Sequence, residues 1–168
     1  MDYEVNALPL HVLLVHATVV FIPLSALCIV LSLLWPAARR RLGIATPLIA
    51  LLALVLVPLS QQAGHWLFLR IEQTPLAMEH MRLGDMMLPW VIGLFVVALG
   101  LWLWFRYGTT AAAAWRRRLG AGYRILAAVL VVVVLAVCAG ATVAVVLTGE
   151  SGSRAVWEGR FSEPPPLP

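Results

Sequence analysis

Four histidines are the residues of this sequence whose type and placement favour metal or cofactor binding. His11 and His16 fall within the apolar segment LPLHVLLVHATVV, and His65 and His80 follow later in the chain. The apolar stretch 8–35 is too long for a soluble core helix and therefore predicts a membrane span. An ionisable side chain inside such a span is costly, so these histidines mark a candidate functional site.

The spacing of the first two histidines limits what they do together. Five residues of helix separate His11 from His16 by about 140° around the axis, so an undistorted helix does not direct both to one ion. A site therefore needs histidines from different helices, as in bundles that hold haem or a metal. We rank His16 first as a ligand, then His80 and His65. The candidate cofactor-binding residues are His16, His65, His80, His11, Gln61 and Gln62.

Methionines add a second possible chemistry around His80. Met78 and Met81 flank this histidine, and thioether with imidazole suits Cu(I), while methionine also serves as an axial haem ligand. The candidate metal ligands are His16, His65, His80, Met78 and Met81. The alternative is structural: the methionines are adaptable packing groups, and the histidines are interfacial groups hydrogen-bonded to nearby polar side chains or water.

Composition indicates the elements that position these residues. The chain has 168 residues, of which 62% are hydrophobic and 12% charged, whereas a soluble domain is roughly half apolar and about a quarter charged. We therefore predict one all-α domain, a four-transmembrane-helix bundle. The predicted helices are 8–35, 46–69, 86–106 and 124–147, and a polar tail covers 148–168. No hydrolytic or phosphate-binding motif is present, so we do not expect an enzyme with one of those signatures.

Arginine placement predicts the orientation. All twelve basic residues are arginines, and eight of them lie in the two loops 36–45 and 106–124. Every acidic residue falls on the opposite side of the predicted membrane. The positive-inside rule then places both termini outside the cytoplasm, N-out and C-out, in the cytoplasmic (inner) membrane of a bacterium. The arginines are thus a topology signal, and we expect the lipid bilayer and not nucleic acid as their partner.

Three segments resemble a bacterial family of small four-helix membrane proteins catalogued as domain of unknown function 2231. They are LPLHVLLVHATVVFIPLS, EQTPLAMEHMRLGDMMLPW and GESGSRAVWEGR, and the resemblance covers nearly the whole chain. It gives His16 and His80 the family's recurrent histidine positions. Relatives often have Gly-His-x-Gly where this chain has Gly149-Glu150-Ser151-Gly152. Some relatives look fused to Rieske iron–sulfur domains, and the resemblance therefore implies a respiratory or Rieske-type redox partner.

The sequence leaves three functional hypotheses. The first is a module that binds haem b or a metal and supports extracytoplasmic electron transfer. The second is a cofactor-free membrane assembly or scaffold subunit, with a homo-oligomer as one form of assembly. Its small residues Ala136, Gly140 and Ala144 permit close helix packing. The third is a copper-handling membrane protein, which rests on the methionine and histidine density alone.

Overall fold

Four long apolar helices form the protein. The computed structural model describes residues 3–160, except for the side chains of residues 109–112. The long helices are α1 (Leu10–Leu34), α3 (Ala45–Phe68), α5 (Met87–Tyr107) and α7 (Ala121–Trp157). Helices α1, α3 and α7 are each long and apolar enough to span a membrane. The same holds for α5 together with the short helix before it. The predicted all-α class with four candidate spans is confirmed, and the chain is a multi-pass membrane protein.

Shorter elements connect the spans. A hairpin of β1 (Glu4–Val5) and β2 (Leu8–Pro9) precedes α1, and three short helices follow along the chain: α2 (Pro36–Leu42), α4 (Pro75–Asp85) and α6 (Thr109–Leu119). Thr74 caps the start of α4, since its side chain accepts a hydrogen bond from the Ala77 amide at 3.2 Å. Both arginine-rich helices end at a glycine with positive φ, Gly43 at 44° and Gly120 at 53°, a backbone conformation that glycine adopts without strain.

The spans pack as antiparallel neighbours along the chain. The end of α1 meets the start of α3, where the hydroxyls of Ser32 and Thr46 lie 3.2 Å apart. The start of α1 meets the end of α3 through His11 and Ser60. The core between the helices is lined by Ile22, Ile29, Val57, Val91, Leu94 and Cys138, among others. The bundle therefore has two ends: an arginine end with α2 and α6, and a histidine end with the hairpin, α4 and the last turns of α7.

Close approach between α5 and α7 depends on Gly140, one of the three small residues that were predicted to permit close helix packing. Gly140 packs directly under the indole ring of Trp90, which occupies the space that a Cβ would need. Ala144 packs against the same core, whereas Ala136 is exposed. Of these three small residues, Gly140 is thus the one that permits close packing between two helices of this chain.

The last helix is longer than the apolar pattern predicted. It continues ten residues beyond Leu147 to Trp157, through a segment we expected to be a polar tail. Hydrogen bonds within the segment explain this, because Ser151 donates to the Thr148 carbonyl at 2.8 Å and Arg154 pairs with Glu150 at 2.7 Å. The end of an apolar stretch indicates where a helix leaves the membrane. It does not indicate where the helix ends, and α7 continues past that point. The remainder of the predicted tail, 161–168, lies outside the described residues.

Candidate functional site

His11 lies at the start of α1 and is held by α3. Its Nδ1 donates to the carbonyl oxygen of Ser60 at 2.9 Å. The ring rests against the backbone of Gly64, where a Cβ would be 3.0 Å from both Cε1 and Nδ1 of His11. Glycine at position 64 therefore permits the imidazole to lie close against α3.

His80 lies on α4 and is held in the same manner by α7. Its Nδ1 is 3.0 Å from the Thr148 carbonyl oxygen and 3.1 Å from the Ser151 hydroxyl. A Cβ at Gly152 would lie 2.8 Å from Cε1 of this ring. Residues 148–157, which apolarity alone did not predict as helix, thus provide the surface that positions His80.

The two held histidines meet each other. The ring centroids of His11 and His80 are 6.1 Å apart and the ring planes are inclined by 71°, an edge-to-face arrangement. Both rings are half-buried. We call the imidazoles of His11 and His80 the histidine pair. Four helices contribute to it, because α1 and α4 carry the two rings and the backbones of α3 and α7 support them.

Hydrogen bonding determines which nitrogen of each ring is available. A carbonyl oxygen only accepts, so both Nδ1 atoms carry the proton. In the neutral tautomer the lone pair then lies on Nε2, and no hydrogen bond among the described residues uses that atom in either ring. Metal-ligating histidines are commonly oriented in this way, with one ring N–H on a backbone carbonyl and the other nitrogen free for the metal.

His65 and Gln61 lie on the neighbouring face of α3, and each contacts the junction of α4 and α5. Nε2 of His65 lies 2.9 Å from Oδ1 of Asp85, and both side chains are about half exposed, at 54% and 50%. Gln61 donates to the Gly84 carbonyl at 2.9 Å. These bonds tie the end of α3 to the junction of α4 and α5 and do not reach the histidine pair.

Gln62 faces the hairpin at the start of the described chain. Its Oε1 accepts from the hydroxyl of Tyr3 at 3.2 Å, and the ring of Tyr3 lies 6.4 Å from that of Trp66. Asn6 and Ala7 make the hairpin turn with φ of 50° and 62°. The turn folds Tyr3 back over the end of α3, next to the elements that hold His11.

His16, our first-ranked ligand, points away from the histidine pair. It is exposed, and its Nδ1 bonds to the Val12 carbonyl of its own helix at 2.6 Å. Its neighbours Val19 and Val20 are also exposed. The angle between His11 and His16 therefore puts one histidine inside the bundle and the other on its outer surface.

The methionines do not join the histidine pair. Met78 and Met81 lie two and one residues from His80, which places them about 200° and 100° around α4 from it. Met78 is 47% exposed. Across residues 3–160, no three His, Cys, Asp or Glu side chains converge on a single metal position. The described geometry thus brings two imidazoles together, and no larger group of side chains of those four types.

A small cleft between α4 and α7 adjoins the supporting residue Ser151. It has a volume of about 150 Å³ and is lined by Leu76, Glu79, Leu83, Leu147, Glu150, Ser151 and Arg154. Pockets for drug-sized ligands usually measure about 300–1,000 Å³. This cleft is therefore too small for a porphyrin, although it brings solvent close to His80.

Sequence reasoning missed the groups that orient the two rings. These groups are the backbone carbonyls of Ser60 and Thr148 and the hydroxyl of Ser151. Every residue has a backbone carbonyl, so the sequence does not show which carbonyl will accept a hydrogen bond from a histidine. Gly64 is adjacent to His65 in the sequence, but it packs on His11.

Comparisons with family models, with curated proteins and with solved structures find no match to this chain. The resemblance to the family of unknown function stays a prediction, and function has to be argued from the geometry of the histidine end.

Proposed function

We propose that this membrane protein binds one transition-metal ion at its histidine end, through Nε2 of His11 and Nε2 of His80. The observation that carries the proposal is that both rings donate Nδ1–H to a backbone carbonyl, at 2.9 and 3.0 Å, while their centroids lie 6.1 Å apart in an edge-to-face arrangement. Each ring is thereby fixed in the tautomer that a metal requires.

Copper is the ion that suits this donor set best. Imidazole binds zinc, copper, iron and nickel, and among divalent ions copper forms the strongest complexes. Two imidazoles leave further coordination positions for water. A bound copper ion gives the protein redox activity, which supports a role in electron transfer or in copper handling.

Haem b is a weaker candidate than a single ion. The backs of both rings are covered by helix backbone at Gly64 and Gly152, and the adjoining cleft of about 150 Å³ has no room for a macrocycle. A metal ion requires only the two free nitrogen atoms.

The distribution of arginines favours an extracytoplasmic location for the histidine end. The arginine end includes Arg39–Arg41 on α2 and Arg116–Arg118 on α6, and short cytoplasmic loops are enriched in arginine. The proposed ion then lies on the outer side of a bacterial cytoplasmic membrane, where an extracytoplasmic redox partner has access to it.

A cofactor-free scaffold is the second candidate, and the same hydrogen bonds favour it. His11 joins α1 to α3, and His80 joins α4 to α7, so each histidine stabilises a helix pair without any ligand. In this case the free Nε2 atoms are incidental, and the protein acts by presenting its surfaces to other membrane proteins.

Asparagine variants separate the two candidates, because the side-chain amide of Asn retains a donor near the position of Nδ1 but has no counterpart of Nε2. The purified, chelator-treated protein is titrated with Cu(I), Cu(II) and Zn(II) in detergent. We expect one equivalent to bind, and His11→Asn or His80→Asn to abolish binding while the fold is retained. His16→Asn and His65→Asn are the matched controls and should bind normally. Absence of stoichiometric binding by the unaltered protein would overturn the proposal in favour of the scaffold.

A further inference from the structure

A second cleft lies at the arginine end, between the end of α1 and α2. It has a volume of about 270 Å³ and is lined by Leu31, Trp35, Ala37, Ala38, Arg41 and Leu42. The histidine pair lies at the opposite end of the bundle, so the cleft takes no part in the proposed metal site.

The backbone at Trp35 creates this cleft. Trp35 leaves the helical conformation, with φ −122° and ψ 105°, and Pro36 then begins α2 in a new direction. Proline suits the first position of a helix and disfavours helical backbone in the residue before it. The bend between α1 and α2 therefore follows from the Trp-Pro sequence, and it leaves a gap with an apolar floor.

The charges around the cleft favour an anion. Arg41 lines it and is exposed, whereas the guanidinium of Arg39 lies 3.7 Å from the centroid of the Phe105 ring and is held against α5. The sequence has no acidic residue between Glu4 and Glu72. The ion pairs of the described residues are His65–Asp85 and Arg154–Glu150, and neither involves Arg41.

The apolar side of the cleft continues onto the outer surface of the bundle. Leu34 and Trp35 are 64% and 59% exposed, and tryptophan is enriched at the level of lipid headgroups. A ligand that satisfies both sides has an anionic head and a long apolar chain. A soluble phosphate satisfies only Arg41.

We propose that this cleft binds one anionic phospholipid, with its phosphate at Arg41 and an acyl chain beside Leu31 and Trp35. The bound lipid would fix the bend between α1 and α2 and hold this end of the bundle at the membrane surface. Basic pockets at the cytoplasmic side of membrane helices bind anionic headgroups in this way.

The test compares two arginine variants of equal charge by native mass spectrometry of the full-length protein in detergent. Phosphatidylglycerol and phosphatidylcholine with the same acyl chains are the probes. We expect the unaltered protein to retain one phosphatidylglycerol in preference to phosphatidylcholine. Arg41→Gln should weaken this binding about fivefold, the magnitude expected for one arginine at an anionic surface. Arg40→Gln removes the same charge next to the cleft lining and should leave binding nearly unchanged.

A second variant tests the apolar part of the site. Ala38→Phe fills the cleft without changing the charge, and it should also reduce phosphatidylglycerol binding, while circular dichroism and gel filtration report whether the fold is retained. Equal effects of Arg40→Gln and Arg41→Gln, or equal retention of both lipids, would overturn the proposal, because they indicate diffuse attraction only. Displacement of the lipid by an equal concentration of glycerol 3-phosphate would also overturn it, since the acyl chain would then contribute nothing.

Discussion

Gly64 and Gly152 occupy equivalent positions in the two halves of the bundle. Gly64 follows Ser60 by four residues and Gly152 follows Thr148 by four. The carbonyl oxygen of each earlier residue accepts a hydrogen bond from the histidine that packs on the glycine. Each half thus has a histidine near the start of its first span and a glycine surface on its second. The two imidazoles held in this way meet edge to face, with their centroids 6.1 Å apart.

Replacing Gly152 by alanine tests whether the glycine surface positions His80. The new Cβ would lie 2.8 Å from Cε1 of the ring, so the imidazole must move away from α7 and from the Thr148 carbonyl. Loss of such an orienting contact typically weakens metal binding about 10- to 100-fold. We expect Gly152→Ala to weaken copper binding by that factor in the titration described above.

Gly149→Ala is the matched control for Gly152→Ala. It lies on the same segment of α7, and no atom lies within 4 Å of its Cβ position. The substitution should leave metal affinity unchanged and stabilise the helix by about 0.5–1 kcal/mol, since alanine restricts the unfolded chain more than glycine does. Equal metal affinity in both variants would contradict the role assigned to Gly152.

The sequence predicted the architecture well and the site only in part. Apolar length alone was enough for the four spans, because a bilayer imposes a minimum length on every crossing helix. It also indicated that His11 and His16 do not serve one site. It did not indicate which of them faces inward, because α1 is apolar on all sides and its rotation is fixed by α3 and α7. Similarly, the pairing of His80 with Thr148 depends on the helical extension of α7, which a hydropathy pattern does not report.

Close packing of α5 against α7 requires glycine at position 140. Any side chain there meets the indole of Trp90, and overpacking of this kind costs about 1–3 kcal/mol. Gly140→Ala should therefore lower the thermal unfolding midpoint in detergent. Gly100→Ala, on α5, is the control, because no atom lies within 4 Å of its Cβ position. An unfolding midpoint for Gly140→Ala at or above that of Gly100→Ala would show that the two helices separate at no cost.

The junction of α4 and α5 is held more by Gln61 than by the ion pair of His65 with Asp85. That pair is half exposed, and exposed ion pairs contribute about 0–1 kcal/mol. Gln61 is half-buried and donates to the Gly84 carbonyl, a bond whose loss costs about 0.5–1.5 kcal/mol. We expect Gln61→Ala to destabilise the protein more than Asp85→Asn in denaturant titrations. The reverse order, with a strong dependence on salt, would instead assign the junction to the ion pair.

His16 should be dispensable for the proposed metal site although it lies in a membrane span. Its ring is exposed on the outer surface of α1, and its Nδ1 is bonded to the Val12 carbonyl of the same helix. A polar ring that faces hydrocarbon is a cost to the folded protein, so His16→Leu should bind copper normally and unfold at the same temperature or a higher one. Loss of copper would make His16 part of the metal site, and a lower unfolding temperature would mean that it has a partner beyond this chain. In that case a second membrane helix covers α1 at this level, and crosslinking from position 16 in native membranes is the measurement that identifies it.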